Sequence, residues 1–102
     1  MVLELTDQTF EAEVLHSKKP VLVSFSAAKC GPCKALHPII DKIAEANSKV
    51  KFAQLDIVAY PIVANKYKVS ALPTILLFHS GMINQFVGKP TKEALVKFIS
   101  IV

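Results

Sequence analysis

A chain of 102 residues, 52% of them hydrophobic and 20% charged, is long enough to bury one core without staples and too apolar to stay disordered. No apolar run reaches the length of a membrane span, and Met1 to Asp7 carries acid where a secretory leader would be basic, so neither a membrane partner nor a signal peptide is expected. Every one of the 12 basic residues is lysine, spread along the chain against 8 acids for a net charge of +4; with no arginine fork for phosphate or base edges, nucleic acid is disfavoured as a partner and a basic surface suited to acidic proteins is favoured.

Thr6 to His16 reads as a first helix, which Thr6 or Asp7 can cap and in which Phe10, Val14 and Leu15 recur at helical spacing until Lys18-Lys19-Pro20 ends it. Any strand before Thr6 is too short to define. Val21 to Ala28 is an uninterrupted apolar run, as expected of a central strand covered on both faces, and Ser24 stands out in it. Ala35 to Ala46 is an amphipathic helix with Leu36, Ile39, Ile40 and Ile43 as its buried stripe. Val50 to Ile57 follows as a second strand, parallel to the first across a right-handed crossover. Pro61 to Tyr67 is a short helix with proline at its start. Leu72-Pro73-Thr74 leads into the strand Ile75 to Phe78, which Ser80-Gly81 turns into a hairpin with Met82 to Val87. Thr91 caps a last helix that packs Leu95, Phe98 and Ile99 and sets Glu93 and Lys97 at pairing distance. A βαβ half followed by a ββα half predicts a single α/β domain over residues 1–102, a sheet flanked by helices.

Both cysteines lie in Lys29-Cys30-Gly31-Pro32-Cys33-Lys34, between the first long apolar run and the amphipathic helix. Gly31 and Pro32 suit a first helical turn, which brings two thiols of this spacing together. Unpaired N–H groups and the positive end of the helix dipole favour a thiolate at Cys30, and Lys29 and Lys34 add charge of the same sign. Cys33, one turn inward, is placed to resolve. A purely structural disulfide closing so short a loop would restrain the unfolded chain very little. A zinc site would need more ligands, and His16, His37 and His79 are scattered singly without metal-ligand spacing. Redox chemistry is therefore preferred over a metal site, and a reactive pair with no other cysteine fits a reducing compartment such as the cytoplasm.

Cys30-Gly31-Pro32-Cys33-Lys34, preceded by Val21-Leu22-Val23-Ser24-Phe25 and followed by Pro38, Leu72-Pro73-Thr74, Gly81 and Gly88, resembles the thioredoxin family over essentially the whole chain. The resemblance implies the thioredoxin fold, with a central mixed sheet, and a thiol-disulfide oxidoreductase that reduces disulfide-containing protein substrates. In it Cys30 attacks and Cys33 resolves. It implies no cofactor beyond the Cys30–Cys33 couple, a monomer, and a thioredoxin reductase as partner, either NADPH- and flavin-dependent or ferredoxin-linked. It further implies a cis peptide before Pro73 and a substrate groove built from Leu72, Pro73 and Gly88, bordered by Val58, Ala59 and Tyr60.

The departures from the family pattern are specific. Lys29 and Ser26 stand where the family usually has tryptophan, and Ser24 and Gln54 stand where it buries an Asp and a Lys. That Asp is regarded as aiding proton transfer at the second thiol, whereas a serine hydroxyl does not titrate in the accessible range. Ser24 can hold a water, bond the sulfur, or be a satisfied core serine. The losses also suggest a rival function, a non-catalytic binding module on the same scaffold, against which the intact Cys-Gly-Pro-Cys weighs.

Overall fold

The computed structural model describes residues 2–102. Its centre is β2, Val21–Ser26, in which all six residues are buried. A strand with no polar face must be covered on both sides. Its neighbours are β3, Lys51–Asp56, running parallel, and β4, Thr74–Phe78, running antiparallel. Outside these lie β1, Val2–Leu5, parallel to β3, and β5, Met82–Gln85, antiparallel to β4, so the mixed sheet has the order β1-β3-β2-β4-β5.

Side chains alternate across a sheet, and the two faces carry separate cores. One face sets Val21, Val23 and Phe25 against Phe10, Val14 and Val63. The other sets Leu22, Phe52, Ile75 and Leu77 beneath α1, Gly31–Ala46, and α3, Lys92–Ile99, which contribute Leu36, Ile40, Ile43, Leu95 and Ile99. The thioredoxin fold expected from the sequence is therefore present, and the strand before Thr6 forms because β3 offers it a parallel edge.

Several expected boundaries shift. The Thr6 to His16 helix winds from Thr6, where the Phe10 and Glu13 N–H groups donate to the Thr6 and Thr9 carbonyls at 3.0 Å, and widens to a π-helical segment, Glu11–Leu15, where the His16 N–H donates to the Glu11 carbonyl at 3.0 Å. Thr6 caps the turn ahead of it by accepting the Thr9 N–H at 3.1 Å, and Thr9 Oγ1 accepts the Thr6 N–H in return. Asp7 is drawn elsewhere: its carboxylate accepts the N–H groups of Ile62 and Val63 at 3.2 and 3.0 Å and so caps α2, Pro61–Lys66, from across the fold. β2 stops at Ser26, two residues early, because Ala27 and Ala28 turn toward the cysteines. β5 stops at Gln85, as the chain bends toward Gly88, whose φ is +108°. Of the last helix's expected stripe Leu95 and Ile99 are buried, while half-buried Phe98 packs edge-on against Phe86. Glu93 and Lys97, both solvated, do not pair; the ion pair among the described residues is Lys51 with Glu13 at 2.6 Å.

Candidate active site

Three chain segments leave the sheet at one end. β2 and β3 are parallel and finish together, with Ser26 beside Asp56, while antiparallel β4 begins there, with Thr74 beside Phe25. The cysteine turn follows β2, Val58-Ala59-Tyr60 follow β3, and Leu72-Pro73 precede β4. Hairpin geometry brings the chain after β5 to the same end, since the Phe86 N–H donates to the Ile75 carbonyl at 2.9 Å. Gly88 comes two residues later.

Cys30 is the N-cap residue of α1, with extended backbone, and its Sγ accepts the Cys33 N–H at 3.1 Å. A sulfur thus takes the place that a serine or aspartate oxygen usually holds at a helix start. The Cys30 carbonyl accepts the Lys34 N–H at 3.2 Å, which closes the first turn. The two cysteines are joined as a disulfide with their Cα atoms 5.2 Å apart. Cys33 is only 1% exposed and faces the sheet, whereas Cys30 is half-buried and Lys29, Gly31, Pro32 and Lys34 lie in solvent. One sulfur is reachable and the other is shielded.

The Leu72–Pro73 peptide is cis, as the resemblance implies, and both residues are half-buried. Asp56 Oδ1 accepts the N–H groups of Val58 and Ala59 at 2.8 and 3.2 Å, which fixes the turn after β3. Val58 and Val87 are 76% and 87% exposed, so an apolar rim lies at the end of the sheet that carries the cysteines.

The chain matches the thioredoxin family over residues 1–101. It belongs to that family. It is 41% identical to a thioredoxin of Rickettsia felis, over 98% of this chain and 97% of that protein. It is 40% identical to a thioredoxin of Streptomyces clavuligerus, over 91% and 88% respectively. It is also 40% identical to a bifunctional thioredoxin reductase/thioredoxin of Mycobacterium leprae, matching 98% of this chain but spanning only 22% of that longer protein. With its cysteine pair closed as a disulfide, this thioredoxin-family chain is a redox-active thiol-disulfide oxidoreductase.

Beneath the cysteines this member of the thioredoxin family is polar but uncharged where a buried ion pair is usual. Ser24 is 2% exposed, and its Oγ has no hydrogen-bond partner. It bonds neither cysteine sulfur nor any other protein atom. Gln54 sits beside it in register, yet the Gln54 amide turns outward and donates to the Glu4 carboxylate. Two residues escaped the sequence reading. Glu4 was hidden in a strand too short to define, and His37 looked like a stray histidine although it follows Cys33 by one helical turn. The His37 Nε2 is buried without a partner. Its i+4 spacing from a buried cysteine was the available signal.

Proposed function

We propose that the Cys30 thiolate attacks a disulfide in a protein substrate, and that Cys33 then attacks Cys30, releasing reduced substrate and leaving the Cys30–Cys33 disulfide. The observation that carries this assignment is the 3.1 Å bond from the Cys33 N–H to the Cys30 sulfur at the start of α1. An amide hydrogen aimed at that sulfur, with the positive end of the helix behind it, stabilises a thiolate there and lowers the Cys30 pKa once the pair is reduced. Cys33, buried one turn on, is bonded to the sulfur of Cys30 and closed to solvent.

The substrate lies against Leu72, Pro73 and Gly88, with Val58, Ala59 and Tyr60 along the border. Proline lacks an N–H, so Pro73 offers a flat apolar surface, and the Leu72 backbone is left to pair with an extended substrate segment. The lysines flanking the pair favour acidic partners.

No metal or organic cofactor takes part, and a thioredoxin reductase returns the disulfide to the dithiol. The similarity to a bifunctional thioredoxin reductase/thioredoxin supports that electron source. One chain holds both cysteines and the groove, so a monomer suffices, and the cytoplasm suits a pair that must be kept reduced.

The test is reduction of insulin with dithiothreitol as electron donor, comparing the parent with Cys30→Ser. Rapid precipitation of insulin chains by the parent and background rate in the variant are expected. Equal rates would leave only a binding module.

A further inference from the structure

Cys33 is nucleophilic only as a thiolate, yet at 1% exposure it cannot hand its proton directly to bulk water. The strands that face α1 carry polar residues near this end. Register sets Glu4, Gln54 and Ser24 side by side across β1, β3 and β2. Leu22 and Phe52, two residues earlier on their strands, pack beneath α1 with Leu36 and Ile40, so Ser24 and Gln54 face α1 as well. From α1 itself His37 lies one turn beyond Cys33. The His37 Nε2 and the Ser24 Oγ are both buried and without partners. A cavity of about 160 Å³, lined by Val2, His37, Ile40, Asp41 and Gln54, has room for water and connects His37 with the exposed Asp41.

Buried polar atoms without protein partners are rare in folded proteins, and two of them, one on α1 a turn from the buried thiol and one on the strand facing α1, call for a function. We propose that His37 is the base that accepts the Cys33 proton, with the Ser24 hydroxyl, both donor and acceptor, able to carry it between them. This rests on the reading of Cys33 as the resolving thiol. In that step the Cys33 proton passes to His37, and the Cys33 sulfur forms a bond to Cys30 Sγ. The bond from Cys30 to the substrate sulfur breaks; that sulfur leaves with the electron pair and takes a proton from solvent. His37 returns its proton to water in the cavity. The protein dithiol is oxidised by two electrons and the substrate disulfide is reduced by two.

The other groups around His37 define what else can titrate. Glu4 comes from β1, and Cys33 and Asp41 from α1; β3 and β2 contribute the uncharged Gln54 and Ser24. α3 meets α1 through Leu95 and Ile99, with Lys92, Glu93 and Lys97 in solvent.

Stopped-flow reaction of the reduced protein with substoichiometric dithiobisnitrobenzoate separates the steps. A first, second-order release of thionitrobenzoate reports attack by Cys30, and a second, unimolecular release reports resolution by Cys33. His37→Gln keeps a polar side chain of similar reach that does not titrate. In it, and in His37→Ala, the second phase should slow relative to the first by about a hundredfold near neutral pH, and its rise with pH should lose the inflection expected in the parent. An unchanged ratio of phases with an unchanged pH profile in His37→Gln would overturn the proposal. His37→Gln alone decides should His37→Ala fail to fold. A parent that shows no first phase would instead refute the reading of Cys30 as attacker.

Discussion

Cys30 and Cys33 are three positions apart, yet one reaches solvent and the other is sealed at 1% exposure. That difference has a direct chemical readout. In the reduced protein near neutral pH, iodoacetamide should label Cys30 at least tenfold faster than Cys33, as peptide mass spectrometry would show; faster labelling of Cys33 would reverse the roles of attacker and resolver. These two residues were legible in the sequence because their chemistry is local: a Gly-Pro turn and a helix start need only neighbours along the chain. His37 and Glu4 were not legible, since what buries one and engages the other is strand register across the sheet, where β1 and β3 meet.

Among the elements, the short ones depend on distant partners. α2 has six residues and no side-chain cap of its own, and Asp7, 55 residues before Ile62, accepts its first N–H groups. Asp7→Ala should cost about 1 kcal/mol in urea unfolding, with Asp7→Asn retaining most of it; no loss in Asp7→Ala would show that solvent satisfies those groups. Phe10 at the start of the π-helical segment, Tyr67 at the end of α2 and Phe78 on β4 meet with their rings 5.3 to 5.7 Å apart. Burial raises the Tyr67 phenol above its ordinary 10.0. The unfolded chain therefore loses that proton first, and stability should fall as pH climbs past the unfolded value, levelling only once the folded phenol also ionises. Tyr67→Phe should flatten that part of the decline in urea titrations of the disulfide form, from about pH 8 to about pH 11; an identical slope in the two proteins would contradict it. Apolar periodicity identified each long element, since β2 and α1 are built by burial alone. It gave Thr6 to His16 as one regular helix because cap and apolar spacing do not tell an α-turn from a wider one; the Thr6 cap and the α-type bonds from Phe10 and Glu13 are there, but the winding widens to a π-turn over Glu11–Leu15.

For the molecule as a whole, strand order determines the site. A parallel β2 and β3 with an antiparallel β4 bring a strand-to-helix turn, a strand exit and a strand entry to one end, which gathers Cys30, Val58 and Pro73 from three separate parts of the sequence. The core on each face packs the strands that carry that end. Leu95→Ala, at a position with 0% exposure under α1, should cost about 2 to 5 kcal/mol while leaving the Cys30 labelling rate of the folded fraction unchanged; a slowed labelling rate would mean that the last helix shapes the site directly. The βαβ and ββα halves were legible as a topology because alternation of apolar runs with an amphipathic helix leaves few ways to cover β2. The lining of the groove entered through the likeness to a family, as no periodicity singles out Gly88 or Leu72. The central claim is that Cys30 takes the substrate onto itself and Cys33 releases it, and trapping the intermediate tests this most directly. Reduced Cys33→Ser, mixed with a disulfide-containing protein such as insulin, should accumulate a covalent complex that dithiothreitol dissolves and that peptide mapping places on Cys30. A complex formed through Cys33 in Cys30→Ser, with none in Cys33→Ser, would contradict it.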